Sequence, residues 1–184
     1  MNARPSEWFA FRVRPRHEKS VALYLREKGY SEFLPLIKER RKWGTRLQDV
    51  EVPLFPGYIF CLAEPCALVP VLSTPGVVDV IRCGRTPLAA SHNEIEALQK
   101  AVAARAVMQP WPYCDVGQTI KIISGPLAGV TGILVRVRQS DQLVLSIELL
   151  RRSVLVEVAS ETVMPSESML VRDSEAQDKQ SVRP

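Results

Sequence analysis

The sequence predicts an α+β fold in two parts, an αβ domain of about 100 residues followed by a small β-barrel. Three observations carry this. The first part mixes strand-period and helix-period segments, a proline-bearing stretch interrupts the pattern, and five short segments rich in Val, Ile and Leu follow it.

"WFAFRVRP" alternates, with Phe9, Phe11 and Val13 on one side and Trp8, Ala10, Arg12 and Arg14 on the other, which is the period of a strand. Pro15 suits the first turn of a helix, and "RHEKSVALYLREKG" continues with Val21, Ala22 and Leu25 at helical spacing until Gly29 stops it. "FLPLIKERRK" and "RLQDVEVPLF" flank "WGT", so a hairpin with a basic tip is expected. "YIFCLA" has the near-continuous apolar character of a strand in the middle of a sheet, and "TPGVVDVIRCG" supplies a turn and another strand. "SHNEIEALQKAVAARA" reads as a helix, with Ser91 and Glu94 spaced as a capping box.

"VMQPWPYCD", residues 107–115, has two prolines and no periodicity, so it reads as a linker. After it, "QTIKIIS", "GVTGILVRVR", "QLVLSIEL", "SVLVEVA" and "TVM" are five strands, and closing so small a sheet into a barrel removes its exposed edges. Gly125, Gly129 and Gly132 are expected to make its sharp turns. No Gly-Lys-Ser/Thr follows them, which excludes a phosphate-binding loop. From Pro165 the chain is polar and aperiodic and reads as a disordered tail.

At 184 residues, 46% hydrophobic and 24% charged, the composition is that of a globular protein. No apolar stretch is long enough for a membrane span and no secretory signal opens the chain, so a cytoplasmic location is expected. Cys61, Cys66, Cys83 and Cys114 form no CxxC pair, and neither His17 nor His92 lies at a zinc-ligand spacing from them. Reduced thiols and no metal or other cofactor are expected. There is no H-E-x-x-H and no G-x-S-x-G, and the sequence gives no catalytic residue. The net charge of +4 is unevenly spread: Trp8 to Gln48 holds eleven Lys or Arg against four Glu. Such a face attracts polyanions, nucleic acid above all.

In "EVPLFPGYIF", Pro53 and Pro56 withdraw backbone donors and Gly57 permits a bend, so the chain enters its strand at a bulge or edge where rings can be turned to a surface. Phe55, Tyr58 and Phe60 are then expected to line a concave apolar patch. An exposed patch of this kind is costly unless a partner covers it.

The order of "WFAFRVRPRHEK", "EVPLFPGYIF", "TPGVVDVI" and "VGQTIKIISGPLAGVTGILV" resembles the NusG family of transcription elongation factors. "LPLIKERRKW" and "LRRSVLVEV" make it most similar to the specialised RfaH-like and UpxY-like paralogues. The resemblance implies an NGN domain at residues 7–106, an antiparallel sheet flanked by helices, then a linker at 107–115, an SH3-like KOW barrel at 116–164 and a disordered tail at 165–184. It implies an elongation or antitermination factor, a monomer that is not an enzyme. Trp8, Phe9, Phe55, Tyr58 and Phe60 would receive the RNA polymerase β′ clamp helices. Arg12, Arg14, Arg16, Lys19, Arg40, Arg41, Lys42 and Arg46 would face DNA or RNA at the transcription bubble, with Trp43 stacking on a base or packing over lysine stems. Leu127, Val130, Leu149 and Leu150 would dock a ribosomal protein or the termination factor Rho. "EPCALVPVLSTPG" departs from the family, because RfaH-like members place a polar gate loop there and this segment is mainly apolar. The alternative is a KOW-containing RNA-binding protein of the ribosome or its assembly.

Overall fold

Period-two alternation decides the first sheet. The computed structural model describes residues 5–43, 46–111, 118–137, 140–157 and 163–165. Strand β1 (Glu7–Val13) leads to helix α1 (Glu18–Glu27), and β2 (Ser31–Phe33) follows. The long hairpin β3 (Leu36–Trp43) and β4 (Arg46–Pro53) comes next, then β5 (Tyr58–Ala63). A single helical turn α2 (Val69–Leu72), β6 (Val77–Val80), the short strands β7 (Arg82–Cys83), β8 (Thr86–Pro87) and β9 (Ala89–Ala90), and helix α3 (His92–Ala103) complete this part. The main sheet has the antiparallel order β2-β5-β1-β6, with β9 also on β1, so the apolar "YIFCLA" does lie inside the sheet.

Each face of that sheet has its own core. Phe9, Phe11 and Val13 of β1 and Ile59, Cys61 and Ala63 of β5 point to one side and bury against Val21, Ala22 and Leu25 of α1. Leu68 and Val71 join them, which explains why residues 64–76 are apolar: the segment folds back into this core. Trp8, Ala10 and Phe60 point the other way, toward Ile95, Leu98 and Ala101 of α3. Ser91 does precede α3, but its side chain makes no capping bond, and the carboxylate of Glu94 is turned elsewhere.

The second part is a six-stranded antiparallel sheet in the order β10-β14-β13-β12-β11-β15. Its strands are β10 (Met108–Trp111), β11 (Gln118–Ile122), β12 (Thr131–Val137), β13 (Ser140–Ile147), β14 (Arg152–Glu157) and β15 (Val163–Pro165), with a 3-10 turn at Glu148–Leu150. Part of the segment expected to be a linker is therefore a strand. β10 lies at the end of the sheet, where Pro110 deprives no inner neighbour of a donor. Among the described residues the pairings end at β10 on one side and β15 on the other rather than closing into a ring. Gly132, expected in a turn, is inside β12, where a Cβ would stand 2.6 Å from the carbonyl oxygen of Val144. Its missing side chain lets β13 pass. The tail beyond Pro165 lies outside the described residues.

The two parts share one core. Trp8, Leu54, Phe55, Phe60 and the inner face of α3 are continuous with Leu145, Ile147, Val154 and Val156 of the second sheet. Helix α3 thus packs between the two sheets.

Candidate functional site

Phe55-Pro56-Gly57-Tyr58 is a β-turn. The amide of Tyr58 donates to the carbonyl of Phe55 at 3.1 Å, and Gly57, at φ +83°, takes the positive angle that a type II turn requires at its third position. Pro56 presets the angle before it. Pro53 ends β4 opposite Leu36, and the next amide, Leu54, donates to the carbonyl of Pro35 at 2.9 Å. The two prolines thus stop the hairpin and redirect the chain into β5, and the turn between them projects Phe55 under the sheet.

The rings form a run along one face. Phe55 meets Phe60 edge-on at 6.1 Å, Phe60 stacks with Phe33 at 6.2 Å, and Phe33 meets Trp8 edge-on at 6.5 Å. Phe9 is not among them. It points through the sheet into the α1 core, as its place one residue out of phase with Trp8 demands, so it cannot share a surface with Phe55. Phe33 takes its place, a residue that sequence reasoning missed because Leu34-Pro35 breaks the strand pattern around it. Phe33 lies directly opposite Phe60 in the β2–β5 ladder, which puts the two rings on one face.

The expected open patch is covered. Phe55 is 2% exposed, Phe60 0% and Trp8 6%, with Tyr58 half-buried. The cover is helix α3 together with the chain's own second sheet. Leu149 and Leu150 pack against the shared core. The guanidinium of Arg152 lies 5.5 Å from the centre of the Tyr58 ring, a cation–π contact. On the far side of the junction, Glu94 of α3 accepts a hydrogen bond at 3.3 Å from the amide of Glu148, which opens the 3-10 turn. Half-burial holds the Glu94 carboxyl above its ordinary range; the Glu148 amide opposes the shift and the Glu148 carboxylate adds to it. A cavity of ≈ 290 Å³ remains beside Phe55, lined by Leu54, Pro110, Trp111, Arg151, Arg152 and Ser153.

The cationic residues divide into two groups. Arg12, Arg14, Arg16 and Lys19 are exposed around the end of β1 and the start of α1, and Arg12 lies across the ladder from Tyr58. On the hairpin, Arg40 pairs with Asp49 at 3.3 Å across the strands, and Arg41 with Glu39 at 2.7 Å on its own strand. The hairpin is therefore less positive than its β3 sequence suggests. Lys42 and Arg46, next to the tip, are exposed. The side chain of Trp43 lies outside the described residues. Of the residues expected to dock a partner on the second sheet, Leu127 and Val130 are buried, while Leu149 and Leu150 are half-buried at the junction.

The aromatic run thus lies beneath the junction, with Arg12, Arg14 and Arg16 exposed beside it. Residues 6–99 match the family described as NusG, transcription termination factor nusG. The chain belongs to the NusG family, whose members are non-enzymatic transcription factors. Among solved structures, similar chains include one described as "Domain interaction in Thermotoga maritima NusG", 19% identical, covering 88% of this chain and 98% of that one at a TM-score of 0.48. Another is the MjSpt4:Spt5 complex in conformation B, 19% identical, covering 86% and 95% at a TM-score of 0.29. No curated protein matches the chain. Among the described residues, no helix is long and apolar enough to cross a membrane.

Proposed function

We propose that this chain is an elongation and antitermination factor of the specialised RfaH-like or UpxY-like kind. It acts in the cytoplasm by binding. The face built from Trp8, Phe55, Tyr58 and Phe60, with Phe33 among them, receives the RNA polymerase β′ clamp helices. Arg12, Arg14, Arg16 and Lys19, with Lys42 and Arg46 of the hairpin, face DNA or RNA at the bubble, where guanidinium groups pair with phosphate and stack on unpaired bases. Phe9 is left out of the polymerase surface, because it faces α1. Residues 7–106 are the polymerase-binding unit and 116–164, joined in one sheet by β10, the KOW unit, which takes up a ribosomal protein or Rho through the 3-10 turn bearing Leu149 and Leu150.

The observation that carries this reading is the aromatic run on one sheet face, which is buried jointly by helix α3 and by the second domain. A partner that takes the same face must displace that domain, so binding is paid for by opening and the two covers compete. Pausing is suppressed by the same arithmetic: a protein that binds the closed polymerase cleft more tightly than the opened one shifts polymerase toward the closed form.

A pull-down with a purified β′ clamp-helix fragment tests it. The wild-type chain is retained, and a Phe55→Ala, Tyr58→Ala variant that keeps the wild-type circular dichroism spectrum is lost. Equal retention of both defeats the reading.

A further inference from the structure

Among the described residues, Glu18 is the one charged residue that is buried as a whole, backbone and side chain together, at 5% exposure; the Glu32 side chain is also buried, and it pairs with the exposed Arg26. Nothing in the binding reading uses it. It stands in the first turn of α1, where the amide ends of the helix favour a negative group. Its Oε1 accepts a hydrogen bond at 2.9 Å from the amide of Gly57, 39 residues further along the chain. The carbonyl of that same Gly57 accepts from the amide of Val13 at 2.8 Å, and the amide of Tyr58 closes the turn on Phe55. Gly57 is thus held on both its donor and its acceptor side, from α1 and from β1.

Burying a carboxylate is unfavourable unless its hydrogen bonds replace water. An apolar residue at this position would pack into the α1 core at lower cost, yet it would leave the Gly57 amide inside the protein without an acceptor. We propose that Glu18 is the positioning residue of the aromatic face. Its carboxylate fixes the Phe55-Pro56-Gly57-Tyr58 turn, so that the Phe55 ring lies against Phe60 and the Tyr58 ring is presented outward, to Arg152 in the closed chain and to the polymerase helix in the bound one. The last step rests on the proposed function; the first does not. Glu18 acts on the rings through its hydrogen bond to the Gly57 amide. In sequence it adjoins Lys19 and follows Arg16 by two residues, so the exposed basic group begins beside it.

The test uses the full-length chain and three variants that separate reach from charge. Glu18→Gln keeps an acceptor at the same reach without the charge. Glu18→Asp keeps the charge one methylene short, and Glu18→Ala removes both. Amide exchange at Gly57 and the Tyr58 ring resonances are read by NMR, and affinity for the β′ clamp-helix fragment is read in parallel. The Gln variant should behave as wild type. The Asp and Ala variants should lose protection at Gly57 by about tenfold, the value of one hydrogen bond, shift the Tyr58 ring and bind the fragment correspondingly less, while the central amides of β1 and β5 keep their protection. Two results overturn the proposal: an Asp variant like wild type beside a Gln variant like Ala, which makes charge the cause, or a loss of protection spread evenly over β1 and β5, which makes Glu18 an ordinary core residue. If the wild type itself does not bind the fragment, the polymerase reading fails, and Gly57 exchange together with the Tyr58 resonances still decides the role of Glu18.

Discussion

Replacing Arg152 with alanine removes the cation from the Tyr58 ring without altering the first domain. The contact is 5.5 Å from the ring centre, with an exposed arginine and a half-buried tyrosine, so it belongs near the lower end of the cation–π range, about 1 kcal/mol. That energy holds only the closed arrangement together, so its loss lowers the closed-to-open ratio by about fivefold. Where most molecules are closed, the apparent affinity for a ligand of the open face rises by the same factor, about fivefold, since it scales with the fraction that is competent. Two measurements on the full-length chain check this: the Tyr58 ring resonances for the closed fraction, and a titration with the β′ clamp-helix fragment. Affinity that stays level or falls, with the closed fraction lowered, would refute the idea that the second domain and the polymerase compete for one face.

Three other outcomes follow from the same geometry. Glu94 has a raised pKa in the closed form and an ordinary one when opening exposes it, so the closed form holds its proton more tightly. Closure is therefore strongest below the ordinary carboxylate value and weakens as pH rises through the raised one; Glu94→Gln, a permanent mimic of the protonated form, should abolish this dependence in an NMR titration of the junction. Lys42→Glu with Arg46→Glu should weaken salt-sensitive binding to single-stranded DNA in a fluorescence anisotropy assay and leave hairpin stability unchanged, whereas Arg40→Glu should also lower stability because it sets a second carboxylate beside Asp49. Burial, reinforced by the Glu32 carboxylate, pushes the Cys61 thiol up to about 12, so mass spectrometry after maleimide treatment should find Cys66 and Cys83 modified in the native protein and Cys61 only after unfolding.

The first domain was legible because its strands alternate cleanly. Phe9, Phe11 and Val13 were grouped correctly by period two, and the hairpin about residues 44 and 45 was marked by its flanking strands. What the period does not say is which apolar face meets which body. Trp8, Phe55 and Phe60 carry the same hydrophobic signal whether they face a helix, a second domain or a partner, so their burial between α3 and strands β13 and β14 had no local signature. Strand β10 was hidden by Pro110, which reads as a breaker everywhere except at the edge of a sheet. Glu18 read as one more first-turn acid of an amphipathic helix, and its partner 39 residues away became visible only once the chain had folded. The charge of the hairpin was overcounted for a similar reason, because Asp49 follows the basic run in sequence yet lies directly across from Arg40.

In the proposed function polymerase is held at the Tyr58 face. A photo-activated benzophenone amino acid at position 58 of the full-length chain, irradiated in a reconstituted elongation complex and mapped by mass spectrometry, tests it most directly. The account expects cross-links to the second domain when the chain is free, replaced by cross-links to the β′ clamp helices when polymerase is present. Cross-links that stay within the chain while it is bound to polymerase would contradict it.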